Sequence, residues 1–216
     1  MNQSAAIAIA VPVAYLIGSI SFGVLIGRVA RGVDIRRYGS GNSGATNVMR
    51  TLGPLPGAAV LLLDWGKGAS VVFIARGLDD DALVSSLSGL AVIVGHAWPV
   101  FTRFKGGKGV ATGLGALSII APIAAASTLL GLAVAIVTRY ISLGSIIGSA
   151  AGLAAAIGLV VSGRLDSAYL IMAIGGTSII EIRHWSNFRR LLSGNENKFS
   201  NVARPRRGKP FERPTP

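Results

Sequence analysis

Apolar residues along this chain gather into runs near the length of a bilayer crossing, separated by short polar and basic stretches. The first run covers residues 4–27. Pro12 falls inside it and predicts a kink without an end, because neighbouring helices can satisfy the freed carbonyl. Further runs cover 55–75, 82–100, 141–161 and 167–182. Residues 110–137 are ambiguous by length, and Pro122 divides them into a short piece, 110–121, and a helix over 123–137.

The charges between the runs give an orientation. Arg28, Arg31, Arg36 and Arg37 follow the first run, which puts that loop in the cytoplasm and the N-terminus outside. Asp79, Asp80 and Asp81 make an acidic outer turn, and Arg103, Lys105 and Lys108 mark the return. The last run ends in a strongly basic stretch, so it also finishes inside. An even number of crossings must then separate Lys108 from Arg183. With the split at Pro122, Arg139 faces the cytoplasm, the turn at 163–166 faces out, and the crossings number seven. A five-span arrangement with merged segments is the alternative. The expected fold is an all-α, polytopic membrane bundle of about seven transmembrane helices with glycine-rich cytoplasmic loops. It forms a single domain over 1–203. The Pro/Arg/Lys-rich stretch at 204–216 reads as a basic, disordered cytoplasmic tail at the lipid surface.

Composition agrees with a membrane solvent: 51% of the 216 residues are hydrophobic and only 14% are charged. The net charge of +12 sits between the runs and at the C-terminus, a pattern of orientation and anionic-lipid contact rather than nucleic-acid binding. There is no cysteine, hence no disulfide framework and no thiolate chemistry.

Two loops carry candidate phosphate chemistry. In the first, Gly39, Gly41 and Gly44 fit G-x-G-x-x-G, and small residues let a backbone approach a ligand closely. Ser43 or Asn42 is placed to cap a short helix through Thr46, Asn47 and Arg50, ended by Gly53. Ser40, Asn42, Thr46, Asn47 and Arg50 would then surround one anion with donors. Asp64 even lies at the spacing of a dinucleotide fold's ribose acid, but the glycines follow a membrane helix and Asp64 falls in the next apolar run. In the second loop, Gly106, Gly107 and Gly109 flank Lys108, with Lys105 before them and Thr112 one helical turn on. It is not a P-loop, since Thr102 stands in place of the first glycine and Gly109 follows the lysine. A backbone nest beside an ammonium is the reading favoured over a glycine hinge in a positive-inside loop.

Asp64 and Lys67 share a helix face inside an apolar run, where charges are costly, and read either as a structural ion pair or as substrate contacts. His184 and Asn187 stand one turn apart, in reach of a hydroxyl, phosphate or acyl oxygen. Arg183, Arg189 and Arg190 beside them read as lipid anchors. His96 ends a span. Neither histidine matches H-E-x-x-H, no cluster has metal-ligand spacing, and no G-x-S-x-G elbow exists, so no metal and no cofactor is expected.

Taken together, Gly-Ser-Gly-Asn-Ser-Gly-Ala-Thr-Asn at 39–47 with Arg50, Asp64-x-x-Lys67-Gly68, His96-x-x-Pro99 with Phe104-Lys-Gly-Gly-Lys-Gly-Val-Ala-Thr112, and His184-x-x-Asn187 with Gly194-x-Glu196-x-Lys198 resemble the bacterial acyl-phosphate:glycerol-3-phosphate acyltransferase family, PlsY. The resemblance covers nearly the whole chain. It implies transfer of a fatty acyl group from acyl phosphate to the 1-hydroxyl of glycerol 3-phosphate, giving lysophosphatidate and phosphate at the inner face of the cytoplasmic membrane. It also implies that Ser40, Arg50, Lys108, His184 and Asn187 line the centre. Substrate contacts are expected from Gly39, Gly41, Asn42, Gly44, Thr46, Asn47, Asp64, Lys67, His96, Lys105, Gly106, Gly107, Gly109, Thr112 and Glu196.

On this reading Lys108, Ser40 and loop N–H groups hold the acyl phosphate, and Arg50 and Lys67 face the acceptor's phosphate. His184 and Asn187 orient the hydroxyl, with His184 or the donor's own phosphate oxygen as base. The partners are the two substrates and membrane lipids, without nucleic acid. An activated donor needs no covalent nucleophile. The His-x4-Asp pair of other glycerolipid acyltransferases is absent: Phe101 and Arg189 stand five residues after the two histidines. A transporter of an organic phosphate is the rival reading, since buried charges and broken helices suit it. Against it, the polar residues gather on one side of the membrane and the halves do not repeat. A structural membrane subunit would leave the glycine loops without a role.

Overall fold

The computed structural model describes residues 2–199, and all of their regular secondary structure is helical. The helices are α1 (Gln3–Gly18), α2 (Phe22–Arg31), α3 (Ala45–Leu52), α4 (Pro54–Leu78), α5 (Ala82–Ala97), α6 (Val110–Ile120), α7 (Pro122–Ser127), α8 (Leu129–Thr138), α9 (Ile141–Val161) and α10 (Tyr169–Leu192). Short 3-10 turns at Ile35–Arg37 and Val100–Thr102 begin the two glycine loops. The expected tail at 204–216 and the end of the 1–203 domain lie outside the described residues.

Among the described residues, four stretches are long and apolar enough to cross a membrane: Gln3–Arg31, Pro54–Leu78, Ala82–Thr102 and Ile141–Val161. Val110–Ile120 and Pro122–Thr138 are shorter apolar helices. The split expected at Pro122 is present, with the proline opening α7. The run 123–137 is itself broken at Thr128, whose hydroxyl turns back to donate to Ala125 O at 2.6 Å. With 11 residues, α6 rises about 16 Å, roughly half of a hydrocarbon core. In contrast α10, with 24 residues, reaches about 36 Å and carries its polar second half beyond its apolar part.

The first run breaks elsewhere than expected. Pro12 stays inside α1, and the chain unwinds between Gly18 and Phe22. Two carbonyls freed there, Gly18 O and Ile20 O, accept the Lys67 ammonium at 3.1 and 2.9 Å. Ser19 donates its hydroxyl to Tyr15 O at 2.9 Å. An internal cation thus pays the hydrogen bonds that the broken helix lacks. The break re-aims α2 so that Val24 packs with Val48 of α3 and Ile35, forming a small core under the first loop.

The main core joins Val72, Val92, Ile93, Ala116 and Met172 from α4, α5, α6 and α10. Small residues let the helices touch backbone to backbone. A Cβ on Gly115 of α6 would lie 1.9 Å from Trp65 O of α4, and one on Gly68 would lie 2.0 Å from Thr112 O. Thus α6 is fixed against α4, and the loop that precedes it inherits that position. After α10 the chain turns back: Phe199 N donates to Arg139 O at 2.7 Å, and Lys198 lies over the Tyr140 ring. Arg139 is therefore at the same end of the bundle as the residues that follow α10.

Candidate functional site

The first loop is built around a buried amide. Asn47 enters from α3 with 2% of its surface exposed. Its Nδ2 donates towards the carbonyls of Ile35, Tyr38 and Asn42 at 3.1, 3.1 and 2.8 Å, and its Oδ1 accepts Ser40 N at 2.8 Å. Gly39 has φ +60° and leaves no room for a Cβ, which would lie 2.2 Å from that oxygen. Asn47 was expected to contact substrate. Its polar atoms are committed to the loop, so it shapes the cradle instead. The cap of α3 also differs: it is Gly44, without a side-chain bond, and neither Ser43 nor Asn42. Ser43 is buried against Gly23, and Asn42 reaches back towards Ser40 O at 3.4 Å. The amides at the start of α3 therefore carry no side-chain cap. Ser40 is exposed on this loop, and Arg50 makes no hydrogen bond or ion pair among the described residues.

Arg36 ties the two loops together. Its Nη1 donates to Thr102 O at 2.9 Å and to Lys105 O at 3.2 Å, while Nε and Nη2 hold Asp34 at 3.0 and 2.7 Å. The Arg36 guanidinium holds the Asp34 carboxyl below its ordinary pKa. From sequence alone Arg36 read only as an orientation charge; its spacing to Asp34 was the available signal. Lys105, expected to bind substrate, contributes its carbonyl to this tie, and its side chain is exposed.

The second loop is packed against His96. A Cβ on Gly107 would lie 2.2 Å from His96 Nε2, and one on Gly106 would lie 2.1 Å from His96 O, which also accepts Gly107 N at 3.1 Å. On the other side Arg183 donates from Nε to Gly107 O at 3.0 Å and from Nη2 to Gly106 O at 3.1 Å, and lies over the Trp98 ring. Arg183 is thus not a lipid anchor. Gly109, with φ +87°, ends the loop and opens α6.

Behind the loop lies a buried array. His96 Nδ1 is 3.2 Å from Thr112 Oγ1 and 3.5 Å from Asp64 Oδ1. Asp64 pairs with Lys67 at 2.9 Å, both side chains being 3% exposed. Gly18 O and Ile20 O accept two of the ammonium's protons, and Asp64 sits against it as its ion partner. The expectation that Lys67 faces the acceptor's phosphate is corrected by this geometry. Asp64, Lys67, His96 and Thr112 form the wall behind the site, and of the two readings of Asp64 and Lys67 the structural pair holds.

Lys108, His184, Asn187 and Glu196 come together at the front. The Lys108 ammonium donates to Asn187 Oδ1, and Asn187 Nδ2 donates to Glu196 Oε1 at 2.6 Å. Glu196 also accepts Ser142 Oγ and Arg190 Nε, each at 2.8 Å. Both oxygens of Glu196, expected to contact substrate, are engaged in holding Asn187, Ser142 and Arg190. Asn187 likewise orients Lys108. Ser142 and Arg190 had no such role in the sequence reading, which took Arg190 for a lipid anchor. Arg189 is exposed at the surface, as expected of one.

Burial pushes the Lys108 ammonium down to about 8; Glu196 opposes this, and Arg190, Arg183 and Arg50 add to it. His184 donates from Nδ1 to Ile180 O at 2.8 Å, since a carbonyl only accepts, and this leaves its lone pair at Nε2. Burial, then the nearby Lys108 charge, pushes His184 down to about 4, so it is neutral at physiological pH. Burial alone would raise Glu196, but bonds from Asn187, Ser142 and Arg190 hold it below its ordinary value.

An apolar cavity of about 310 Å³ opens between α6, α8, α9 and α10. Leu117, Leu132, Leu153 and Met172 line its body. Val110, next to Gly109, and Ile180, whose carbonyl holds His184, are also among its lining residues.

The sequence profile of the family described as glycerol-3-phosphate acyltransferase matches residues 8–194. A glycerol-3-phosphate acyltransferase of Desulforamulus reducens is 46% identical over 186 residues, covering 86% of this chain and 91% of its own length. Glycerol-3-phosphate acyltransferase 2 of Moorella thermoacetica is 45% identical, covering 88% and 96%. The crystal structure of PlsY (YgiH), an integral membrane glycerol 3-phosphate acyltransferase, in its glycerol 3-phosphate form superposes with a TM-score of 0.82 at 42% identity, covering 90% of this chain and 96% of that one. Its lysophosphatidic acid form gives 0.80 at 41%, covering 90% and 95%. Matched over most of its length in both sequence and fold, this chain belongs to the glycerol-3-phosphate acyltransferase family of integral membrane enzymes.

Proposed function

We propose that this enzyme transfers a fatty acyl group from acyl phosphate to the 1-hydroxyl of glycerol 3-phosphate, forming lysophosphatidic acid and inorganic phosphate. The observation that carries the proposal is an apolar cavity whose lining residues Val110 and Ile180 adjoin the Lys108 loop and His184. A donor with a lipid tail and a phosphate head needs an apolar cavity and a cation at one place. The names of the two solved PlsY forms support the acceptor and the product.

The tail lies in the cavity between α6 and α10. Lys108, Ser40 and amides of the glycine loops bind the donor's phosphate, and Arg50, whose side chain has no partner among the described residues, takes the phosphate of the acceptor. Neutral His184 accepts the attacking hydroxyl's hydrogen bond at Nε2 and aims it at the acyl carbon. At about 4 His184 is a weaker base than a phosphate dianion, whose second ionisation lies at about 6. The proton therefore ends on the leaving phosphate. The new ester C–O bond forms as the bond from the acyl carbon to the phosphate oxygen breaks. Positioning and charge stabilisation supply most of the acceleration.

The two loops and the basic end of α10 face the cytoplasm, and the N-terminus faces out, in a single-domain bundle of seven crossings over 1–203 in the inner membrane. The two short apolar helices around Pro122 make one outward and one inward pass. The test is purified protein in detergent, given acyl phosphate and glycerol 3-phosphate, with phosphate and lysophosphatidic acid both followed. Equal release of both, dependent on both substrates, is expected. A transporter of organic phosphate would release neither.

A further inference from the structure

We infer that Arg183 is a positioning residue for Lys108, acting through the backbone of the second glycine loop. The inference rests on the reading that Lys108 holds the donor's phosphate. Arg183 stands one residue before His184 and four before Asn187, so Arg183 and Asn187 share a face of α10. From that face α10 grips the loop twice. The Arg183 fork takes the carbonyls of Gly107 and Gly106 at 3.0 and 3.1 Å, and Asn187 takes the Lys108 ammonium.

Two successive carbonyls turned towards one guanidinium fix the orientation of the peptide units just before Lys108. His96 O completes the clamp by accepting Gly107 N from the opposite side at 3.1 Å. The guanidinium is itself held against the Trp98 ring, 5.9 Å from the centroid. Lysine carries the same charge but has neither a planar fork nor a face to stack, so it cannot replace these contacts.

Arg183 also contributes charge to the site. The charged and titratable groups acting on or facing Lys108 are Arg183, His184 and Arg190 of α10, Glu196 beyond it, and Arg50 of α3. Removing one cation from this set favours the protonated ammonium.

The experiment compares Arg183→Lys and Arg183→Ala with wild type and Lys108→Ala, using acyl phosphate and glycerol 3-phosphate in detergent. Thermal unfolding is recorded for each. Arg183→Lys is expected to fold, to lose roughly ten- to a hundredfold in kcat, and to keep its alkaline limb close to wild type. Arg183→Ala is expected to lose at least as much, with its limb moved to higher pH. A purely structural role predicts losses that follow the folded fraction and an unmoved limb in both variants, which overturns the inference. So does Arg183→Lys with wild-type turnover, the outcome for a lipid anchor; that variant decides if Arg183→Ala does not fold. Lys108→Ala separates the two claims. If it is inactive while both Arg183 variants turn over normally, this inference fails and the site reading stands. If Lys108→Ala is active, the site reading itself fails.

Discussion

The Lys108 ammonium donates to Asn187 Oδ1, so a side-chain amide on α10 fixes where the loop's charge sits. Lys108 is protonated at neutral pH but close to losing its proton, at about 8. On the proposed mechanism the active form is the cation, so activity is lost as pH rises. At low acyl phosphate, kcat/KM is expected to be level through neutrality and to fall above about 8. Lys108→Arg should carry that limb to higher pH at a reduced rate, because arginine stays charged. A limb that remains in place in Lys108→Arg assigns it to another group.

Glu196 acts on Lys108 in the opposite sense to Arg183. Its negative charge favours the ammonium, and its bond to Asn187 keeps the amide in place. Glu196→Gln should therefore move the alkaline limb to lower pH and leave Arg190 without its ion partner. The pH profile of phosphate release checks this. A limb moved upward would show that Glu196 does not support the charge on Lys108.

Lys67 offers a test of stability rather than catalysis. Lys67→Met leaves Asp64 buried without its cation and removes the donor to Gly18 O and Ile20 O. Breaking such a buried pair costs about 3–5 kcal/mol. Denaturant or thermal unfolding in detergent should show a loss of that order. A loss below about 1 kcal/mol, the value of an exposed pair, would reopen a substrate role for this lysine.

The apolar runs and the charge between them were enough to read the helices, the break at Pro122 and the two glycine loops, because span length and glycine spacing are local properties. The division of labour within the loops was not local. Asn47 and Ser40 looked equivalent as donors, and only burial separates the amide that builds the loop from the hydroxyl left exposed on it. Arg183 and Arg190 looked like interfacial arginines, since helix phase alone does not reveal a carbonyl pair or a carboxylate arriving from 76 or 6 residues away. The break after Gly18 was hidden for a related reason. Pro12 was the visible breaker, whereas the carbonyls freed at 18 and 20 are satisfied by a lysine 49 and 47 residues on.

The side of Arg139 decides how the short helices cross. Its carbonyl accepts Phe199 N at 2.7 Å, and Ser142 just beyond it holds Glu196 at 2.8 Å. Glu196 in turn reaches Lys108 through Asn187. The chain therefore leaves this end of the bundle at Lys108 and is back at it by Arg139. The two helices between, with 11 and 17 residues, rise about 16 and 25 Å. A tilted pair of passes and a hairpin that turns within the bilayer both preserve the parity, whereas a single merged crossing does not. The chain has no cysteine, so one can be introduced at a time. Arg139, Asp80 and Arg164 are all exposed. In cells, Arg139→Cys is expected to react with an impermeant thiol reagent only from the cytoplasmic side, and Asp80→Cys and Arg164→Cys only from outside. Labelling of Arg139→Cys from outside would separate it from the Lys108 cluster across the membrane, contradict its contact with Phe199, and overturn the pair of passes around Pro122.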